Sequence, residues 1–424
     1  MDRVRHRIVS LSTSAVSKNT ISQFAVKLVT SFSGLAVIFL ISYFLGFTTF
    51  GSYSKVVAFV SFFYLLIDFG INSIFLRDYF EDVKNKIQLL VFLRLSIAVF
   101  LFFLMVGITY FLPYNSLLNT GFSLVEKMGI IIFGLTIFSQ AITISLTSLF
   151  QKRLSYRNTV SPAVISSIVL LFFVCFSIYS KSLLLIFASY VASGVTVMLF
   201  LALNLKDVYR NRLQITNFFI FSKKITLASL PLGLMLFFNL VYAKADTIIL
   251  SLMRPTVEVG IYGFSYRFFE FAIAIPTFFS NSAYPILIEA GKDKAEFTRK
   301  IKKYSAALLI ISIIIMLTFI LFSPILGFVK KDFGLSVFPI QILSLSLPFF
   351  FLTSLLQWVL VLKKKMAYLL FVYIFSLVLN IILNLIFVPR FSYIASSIIT
   401  VVCEGVVAIL LIGYLVFYQR QLFE

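Results

Sequence analysis

The residues best suited to chemistry in this sequence are charged side chains that lie inside long apolar runs. Four are basic and four are acidic: Lys27, Arg94, Lys244 and Arg267, then Asp68, Asp246, Glu270 and Glu404. A charge at the bilayer centre costs about 2.5 to 3.5 kcal/mol on insertion scales, so it usually faces a partner or a cavity. Arg and Lys bind phosphate oxygens, the first through a planar fork and the second as a point charge. The basic set therefore suits an anionic headgroup such as a lipid diphosphate. The acidic set suits counter-ions or sites for a coupling H+ or Na+.

Helical spacing places several of these charges on polar stripes. In the first apolar run, Asn19, Gln23, Lys27 and Thr30 share one helical face, so Lys27 is predicted to look inward. Similar stripes occur in other runs: Ser54, Ser61, Asp68 and Asn72; Asn239, Tyr242 and Asp246; Tyr373, Asn380 and Asn384; and Tyr393, Ser397, Thr400 and Glu404. Polarity repeated on one side of several helices predicts a shared water-accessible cavity.

Each charge also has a structural interpretation. Lys27 could snorkel to the inner interface, and Arg94 could neutralise Asp68. Arg267 could form a buried structural pair with Glu270, which lies three residues later on the same helical face. The acidic residues as a group could be counter-ions instead of coupling sites.

The composition decides the class of protein. Of 424 residues, 61% are hydrophobic and 12% are charged, and the mean hydropathy is +1.05. Soluble domains average about 45–50% apolar and about 25% charged residues. A water-soluble enzyme and a disordered scaffold are therefore excluded, and the chain is a polytopic membrane protein.

Apolar runs of about 18 or more residues, bounded by charges, Pro and Gly, predict the helices. There are twelve, at 20–46, 51–76, 87–112, 128–150, 160–180, 183–204, 225–252, 259–287, 304–328, 335–362, 366–388 and 393–418. The predicted fold class is an all-α integral membrane protein with twelve transmembrane helices in two six-helix lobes.

The lobe boundary is predicted in the longest connection, residues 205–224, with an N-terminal lobe at 1–216 and a C-terminal lobe at 217–424. Across it, Phe50-Gly51-Ser52-Tyr53 is weakly repeated as Val259-Gly260-Ile261-Tyr262. Because each lobe has an even number of spans, a pseudo-two-fold axis along the membrane normal would relate the lobes.

Basic residues set the orientation. The two tails and alternate loops hold 25 Lys and Arg, whereas the opposite loops hold 6. The positive-inside rule therefore places both termini in the cytoplasm. Most of the net charge of +20 follows from this topology, so nucleic-acid binding is not needed to explain it. Lys55, near the end of a run, is expected to snorkel.

Several kinds of chemistry are not predicted. Cys175 and Cys403 lie in apolar runs and His6 lies in the N-terminal tail, so neither a disulfide framework nor a Cys/His metal site can be built. The sequence has no GxxxxGK[ST], GxSxG or HExxH motif. No cleavable signal peptide is recognised at the N-terminus. The protein is not expected to be an enzyme or to need a cofactor.

Two segments carry a family resemblance. Leu45-Gly46-Phe47-Thr48-Thr49-Phe50-Gly51-Ser52-Tyr53, followed by Asp68-Phe69-Gly70-Ile71-Asn72 and Arg77, resembles the Wzx-type flippases for lipid-linked polysaccharide repeat units. These belong to the multidrug/oligosaccharidyl-lipid/polysaccharide exporter superfamily. The segment Ala245-Asp246-Thr247-Ile248-Ile249-Leu250, followed by Val259-Gly260-Ile261-Tyr262, is similar to the matching stretch of that family.

The resemblance implies two six-helix lobes around a cationic cavity that opens alternately to either side. It implies transport of an undecaprenyl-diphosphate oligosaccharide, coupled to a proton or sodium gradient or to the membrane potential. Basic residues of the first, seventh and eighth helices typically line such cavities, which corresponds to Lys27, Lys244 and Arg267.

We therefore expect a flippase for polyprenyl-diphosphate-linked oligosaccharides in a bacterial inner (cell) membrane. It would supply O-antigen for lipopolysaccharide, capsule or a related polysaccharide. Its partners would be membrane lipid and polysaccharide polymerase or chain-length proteins. One alternative is an exporter of small organic cations from the same superfamily, for which an acidic cavity is expected. A membrane glycosyl polymerase or ligase, which needs a large outer loop, and a non-transporting scaffold are further alternatives.

Overall fold

The chain folds almost entirely into helices. The computed structural model describes residues 2–79, 83–152, 156–203, 218–291 and 293–421. The helices are α1 Asp2–Asp68, α2 Ile71–Asp78, α3 Val83–Phe111, α4 Leu124–Gly134, α5 Thr136–Lys152, α6 Val160–Tyr179, α7 Leu183–Leu203, α8 Phe218–Met253, α9 Thr256–Ala290, α10 Lys294–Phe322, α11 Ile325–Val329, α12 Val337–Ser344, α13 Leu347–Leu362 and α14 Met366–Gln421. An antiparallel hairpin, β1 Tyr114–Asn115 with β2 Thr120–Gly121, joins α3 to α4. The predicted all-α class is confirmed.

The helices are those of a multi-pass membrane protein. In the described ranges, eight stretches are long and apolar enough to cross a membrane, or nine if the bent pair Lys331–Ser344 and Leu347–Leu362 is one span. Two of the eight, Ala25–Asp78 and Met366–Phe417, have 54 and 52 residues. At 1.5 Å per residue each is about 80 Å long, more than twice the roughly 30 Å hydrocarbon core. The count of twelve separate spans stays a prediction.

Both long helices break near a predicted boundary between two spans. In α1, Gly46 has φ 78° and ψ 174°, a conformation that is essentially confined to glycine. In α14, Ser392 has φ 56° and ψ −143°. The Ser392 hydroxyl bonds the carboxylate of Glu258, and Arg254 donates both to Glu258 and to the Pro389 carbonyl, the latter at 3.2 Å. These contacts hold the corner of α14.

The chain forms two compact units. Unit 1 comprises Met1–Leu45, Val56–Pro113 and Phe122–Leu240, and unit 2 comprises Gly46–Lys55, Tyr114–Gly121 and Val241–Glu424. The sequence-based lobe boundary between residues 216 and 217 falls in the 204–217 connection, which lies outside the described residues, and it stays a prediction.

The core of unit 1 is built at the end of the α1 segment that follows Val56. Phe75 of α2, Leu90 of α3 and Phe150 of α5 are fully or nearly fully buried in one apolar cluster. The turn Phe69–Gly70, with positive φ at both residues, separates α1 from α2. Asp68 accepts a hydrogen bond from the Asn72 backbone N–H at 3.2 Å, which caps the first turn of α2.

Unit 2 contains an unusually close helix contact between the two copies of the weak internal repeat. A Cβ added to Gly51 would overlap the carbonyl oxygen of Thr256, and one added to Gly260 would overlap that of Phe47. Phe264 and Phe333 flank this contact, with ring centroids 4.8 Å apart. Only glycine lets two helices approach this closely, so the repeated glycine of each motif has a packing reason.

We predict that Gly51→Ala and Gly260→Ala each lower the thermal unfolding midpoint of the purified protein, because overpacking a tight contact costs about 1–3 kcal/mol. The matched controls are Gly34→Ala and Gly413→Ala, since a Cβ at either helical glycine meets nothing within 4 Å. Alanine is favoured over glycine in a helix by about 1 kcal/mol, so the controls should keep or raise the midpoint. A Gly51→Ala protein as stable as the Gly34→Ala protein would contradict this packing.

Candidate functional site

Three charged side chains of unit 2 form one cluster, called here the Glu270 triad: Lys244, Arg267 and Glu270. Lys244 Nζ lies 2.8 Å from Glu270 Oε1, and Arg267 Nη1 lies 2.6 Å from Glu270 Oε2. The side chains are 18%, 26% and 27% exposed. The pairing of Arg267 with Glu270 expected from their spacing is present, and Lys244 joins the same carboxylate.

The triad combines two cations with one carboxylate and so carries a formal charge of +1. Lys244 Nζ also lies 5.8 Å from the Tyr266 ring centroid, within reach of a cation–π contact. Glu270 lies near the middle of α9, and Lys244 lies on α8, one of the stretches apolar enough to cross a membrane. A partly exposed, net positive cluster can bind an anionic group.

A second cluster of unit 2 surrounds Asp246, two residues from Lys244 on α8. The Asp246 carboxylate is almost fully buried. It accepts hydrogen bonds from the Tyr262 hydroxyl at 2.9 Å, Asn384 Nδ2 at 2.7 Å and the Thr400 hydroxyl at 3.0 Å. All three donors are neutral groups, so they satisfy the carboxylate without neutralising its charge.

The Asp246 cluster is rich in oxygen atoms. Asn380 Oδ1 lies 3.2 Å from Asn384 Nδ2, and Ser396 donates to Asn384 Oδ1 at 2.9 Å. Carboxylate, amide and hydroxyl oxygens are the ligands that hard cations prefer. Asn380, Asn384 and Thr400 of the stripes predicted on the last two helices thus lie at Asp246, whereas Tyr373 bonds Gln357 instead. The chemistry of these oxygen atoms suits a small cation.

Glu404 is also buried. It accepts a hydrogen bond from the Tyr242 hydroxyl at 2.9 Å. Because Glu404 lies four residues after Thr400, and Tyr242 four residues before Asp246, this pair lies one helical turn from the Asp246 cluster.

In unit 1, Arg94 is fully buried. Its Nη2 lies 2.7 Å from Asp68 Oδ1 and its Nη1 lies 3.0 Å from the Ser145 hydroxyl. The Asp68 side chain is 30% exposed, so the accessible part of this pair is the carboxylate. A direct contact of Arg94 with a headgroup would require this pair to open, and that role stays a prediction.

Lys27 lies on α1 in unit 1 with an exposed side chain. Its carbonyl oxygen accepts a hydrogen bond from the Thr30 hydroxyl at 3.1 Å. The exposure suits an initial contact with an anionic substrate and suits snorkelling equally, so the cavity role of Lys27 also stays a prediction.

One buried charge has an environment that the spacing did not predict. Lys55 was expected to snorkel, but its side chain is fully buried. Its Nζ donates to the Gly121 carbonyl at 2.8 Å and to the Thr256 hydroxyl at 2.5 Å. The hairpin and the start of α9 cover it, and these segments are too distant in sequence to reveal the contact.

The described residues include no group of three or more His, Cys, Asp or Glu side chains that could hold a metal ion. Within the same part of the chain, Cys175 is exposed, Cys403 is buried and neither forms a disulfide.

Two family models match the sequence. The model described as polysaccharide biosynthesis protein matches residues 16–291, more than half of the chain. The MatE model matches residues 231–386. No curated protein matches the sequence.

Solved membrane transporters share the fold. The lipid II flippase MurJ in an inward closed conformation superimposes with a TM-score of 0.73 at 16% identity, covering 94% of this chain and 87% of that one. An inward-facing multidrug resistance MATE family transporter of the MOP superfamily gives 0.63 at 14% identity, covering 95% and 94%. The MATE multidrug transporter DinF-BH gives 0.60 at 16% identity, covering 95% of both. At these identities the likeness establishes the fold.

We predict that Glu270→Gln destabilises the protein by about 3 kcal/mol, because it leaves two cations without their shared carboxylate inside the membrane. The matched control is Glu296→Gln. Glu296 lies in the first turn of α10, 2.7 Å from Lys300, and its replacement should cost less than about 1 kcal/mol. The free energy of unfolding in a denaturing detergent is measured for both variants.

Adding Lys244→Met to Glu270→Gln should restore part of the lost stability, because one of the two unpaired cations is then removed. Equal losses for Glu270→Gln and Glu296→Gln would show that the triad does not hold its cations in place.

Proposed function

Because the chain belongs to the polysaccharide biosynthesis protein family, whose model spans residues 16–291, we propose that it is a lipid-linked oligosaccharide flippase. It moves a polyprenyl-diphosphate-linked repeat unit from the cytoplasmic to the outer leaflet of a bacterial inner membrane. The product feeds O-antigen, capsule or a related polysaccharide, and polymerase or chain-length proteins are its partners in that pathway. The fold shared with MurJ supports an assignment as a transporter instead of an enzyme.

The observation that carries this proposal is the net positive charge of the Glu270 triad. A diphosphate brings several negative oxygens, and the Arg267 guanidinium can bind them through two parallel hydrogen bonds while Lys244 adds a point charge. Glu270 holds both cations in position before the substrate arrives. The two cations are therefore already ordered before the substrate binds. Binding then loses less side-chain entropy, which raises the affinity.

In unit 1, the exposed Lys27 provides the first attraction for the diphosphate. The Arg94 side chain becomes a further contact when its pair with Asp68 opens. The polyprenyl tail stays in lipid, and the sugars are solvated by the polar stripes of the helices. Rocking of the two six-helix lobes then carries the headgroup across the membrane.

The topology that we propose has twelve spans in two six-helix lobes, residues 1–216 and 217–424, with both termini in the cytoplasm. Two features support it. The helical stretches of 54 and 52 residues each have room for two spans, and α9 adds a 35-residue helix. Together with the bent pair and the other spans this makes twelve. A pseudo-two-fold axis along the membrane normal would relate the lobes.

The Asp246 cluster is proposed as the site of the coupling ion, H+ or Na+. Its carboxylate keeps a negative charge among neutral donors, so a cation that binds there gains a charge partner. Glu404, one turn away, is a second acceptor for a proton. Net transport requires that the ion bind the two conformations with different affinity.

The second candidate function is export of organic cations. The MatE match over residues 231–386 and the two buried acids Asp246 and Glu404 favour it. The triad distinguishes the two functions, because a net positive cluster attracts a diphosphate and repels a cationic drug.

We predict that Lys244→Gln and Arg267→Gln each reduce surface polysaccharide at least tenfold in cells that depend on this gene. Either variant leaves Glu270 with one cation, so folding should be kept while the net charge of the triad falls to zero. The control is Lys300→Gln, whose ammonium group pairs with Glu296 at 2.7 Å within α10. Normal polysaccharide in both triad variants, together with efflux of a cationic dye that the variants alter, would favour the second candidate.

We also predict that Asp246→Asn abolishes the dependence of transport on an ion gradient in proteoliposomes. Separate Na+ and pH gradients identify the ion, because only one should drive the wild-type protein. Asp293→Asn is the control, since Asp293 caps α10 through the Ala295 N–H at 2.9 Å and Asn is an equally good cap. Unchanged gradient dependence in Asp246→Asn would remove the coupling assignment and leave the flippase assignment intact.

A further inference from the structure

A cleft in unit 1 lies apart from the charged clusters described above. Its volume is about 850 Å3, and it is lined by Ser22 and Ala25 of α1, by Arg157 and Asn158 just before α6, and by Val160, Ser161, Val164 and Ile165 of α6. All of these residues belong to unit 1. The volume falls in the range of about 300–1,000 Å3 that is typical of small-molecule sites.

The cleft is a wedge between two helices. The hydroxyls of Ser33 on α1 and Ser167 on α6 are 3.1 Å apart and buried, so the helices touch there. Ser22 precedes this contact by about 16 Å along α1, and Ser161 precedes it by about 9 Å along α6. The cleft therefore lies between the two helices on the N-terminal side of this contact, and its end farther from the contact is called here the wide end.

The two ends of the wedge differ in polarity. At the wide end, Arg157, Asn158 and Ser161 are exposed polar side chains. Toward the Ser33–Ser167 contact the lining consists of apolar side chains, Val164 and Ile165 of α6 among them. An apolar lining would be poorly hydrated, whereas the wide end can hold a polar or anionic group. The shape therefore fits an amphiphile with one polar head.

Basic residues near the wide end of the cleft indicate an anionic headgroup. The connection that contains Arg157 also carries Lys152 and Arg153 in the sequence and no acidic residue from 151 to 159. It is one of the connections placed in the cytoplasm by the proposed topology. Basic pockets between transmembrane helices on that side bind anionic lipid headgroups.

The cleft is distinct from the face of α1 that carries Lys27. At about 100° per residue, Lys27 lies about 140° around the helix from Ser22 and about 200° from Ala25. The side chains that line the cleft and the predicted headgroup contact therefore point in different directions.

We propose that this cleft binds one phosphate-bearing anionic lipid from the cytoplasmic leaflet. The phosphate lies against Arg157, Asn158 and Ser161, and an acyl or prenyl chain lies along Val164 and Ile165. The site concerns lipid binding by unit 1 and does not depend on transport through the protein. Two lipids supply this chemistry, a bulk phospholipid such as phosphatidylglycerol and an undecaprenyl phosphate.

The test measures lipid binding by the full-length protein in neutral detergent. Native mass spectrometry counts bound dioleoyl phosphatidylglycerol, dioleoyl phosphatidylcholine or undecaprenyl phosphate, and thermal unfolding reports the effect of each. We expect one tightly bound anionic lipid, a higher unfolding midpoint with that lipid, and about tenfold weaker binding in Arg157→Gln. The control Lys223→Gln, which removes an exposed cation of α8, should bind as the wild type does.

A second variant tests the apolar part of the cleft without changing the charge. Ile165→Trp fills the narrow end and should also weaken binding of the anionic lipid. A preference for phosphatidylglycerol or for undecaprenyl phosphate identifies the source, and either supports the site. Wild-type binding in both Arg157→Gln and Ile165→Trp, or equal binding of phosphatidylcholine, would overturn it. If the wild-type protein binds the anionic lipid but has no flippase activity, the proposed function is contradicted and the lipid site is not.

Discussion

A charged side chain inside a membrane helix has to be compensated by protein groups, because the surrounding hydrocarbon offers none. Three arrangements among the described residues show how this constraint is met. Arg94 forms a one-to-one pair with Asp68. Two cations share the single carboxylate of Glu270. Asp246 is surrounded by hydroxyl and amide donors. Counted with every side chain in its ionised form, these clusters carry formal charges that are neutral, positive and negative, respectively, and that difference gives each a separate chemical capacity.

The positive and negative clusters both use α8. Lys244 and Asp246 are two residues apart, so they lie about 200° apart around the helix and face different neighbours. An anion bound by the triad and a cation bound at Asp246 would therefore contact opposite sides of one helix. If α8 changes position between two conformations, each ligand biases the same equilibrium, and the two binding events are thermodynamically linked. On the proposed function this is how an ion gradient would act on a lipid-linked anion without any contact between the two.

The sequence was sufficient to predict the class of the fold and some of the side-chain contacts. Apolar run length predicted an all-α membrane protein, and helical periodicity predicted the pairing of Arg267 with Glu270. Periodicity describes the face of one helix but not the neighbour that this face meets. Lys244 was therefore predicted as a headgroup contact without its partner Glu270, and Lys55 was expected to reach water although a hairpin and the start of α9 bury it. Both contacts join residues distant in sequence, and no local pattern encodes them.

The glycines of the internal repeat connect the sequence pattern to the path of the chain. Gly51 and Gly260 meet at one crossing, where a side chain on either would overlap the partner backbone. Each motif therefore requires glycine because of the other. The same stretch begins at Gly46, where α1 passes from unit 1 to unit 2 with dihedral angles that only glycine readily adopts. The chain thus changes unit at a glycine break and is held in unit 2 by a glycine contact five residues later. The backbone path of residues 46–51 therefore depends on glycine at both positions.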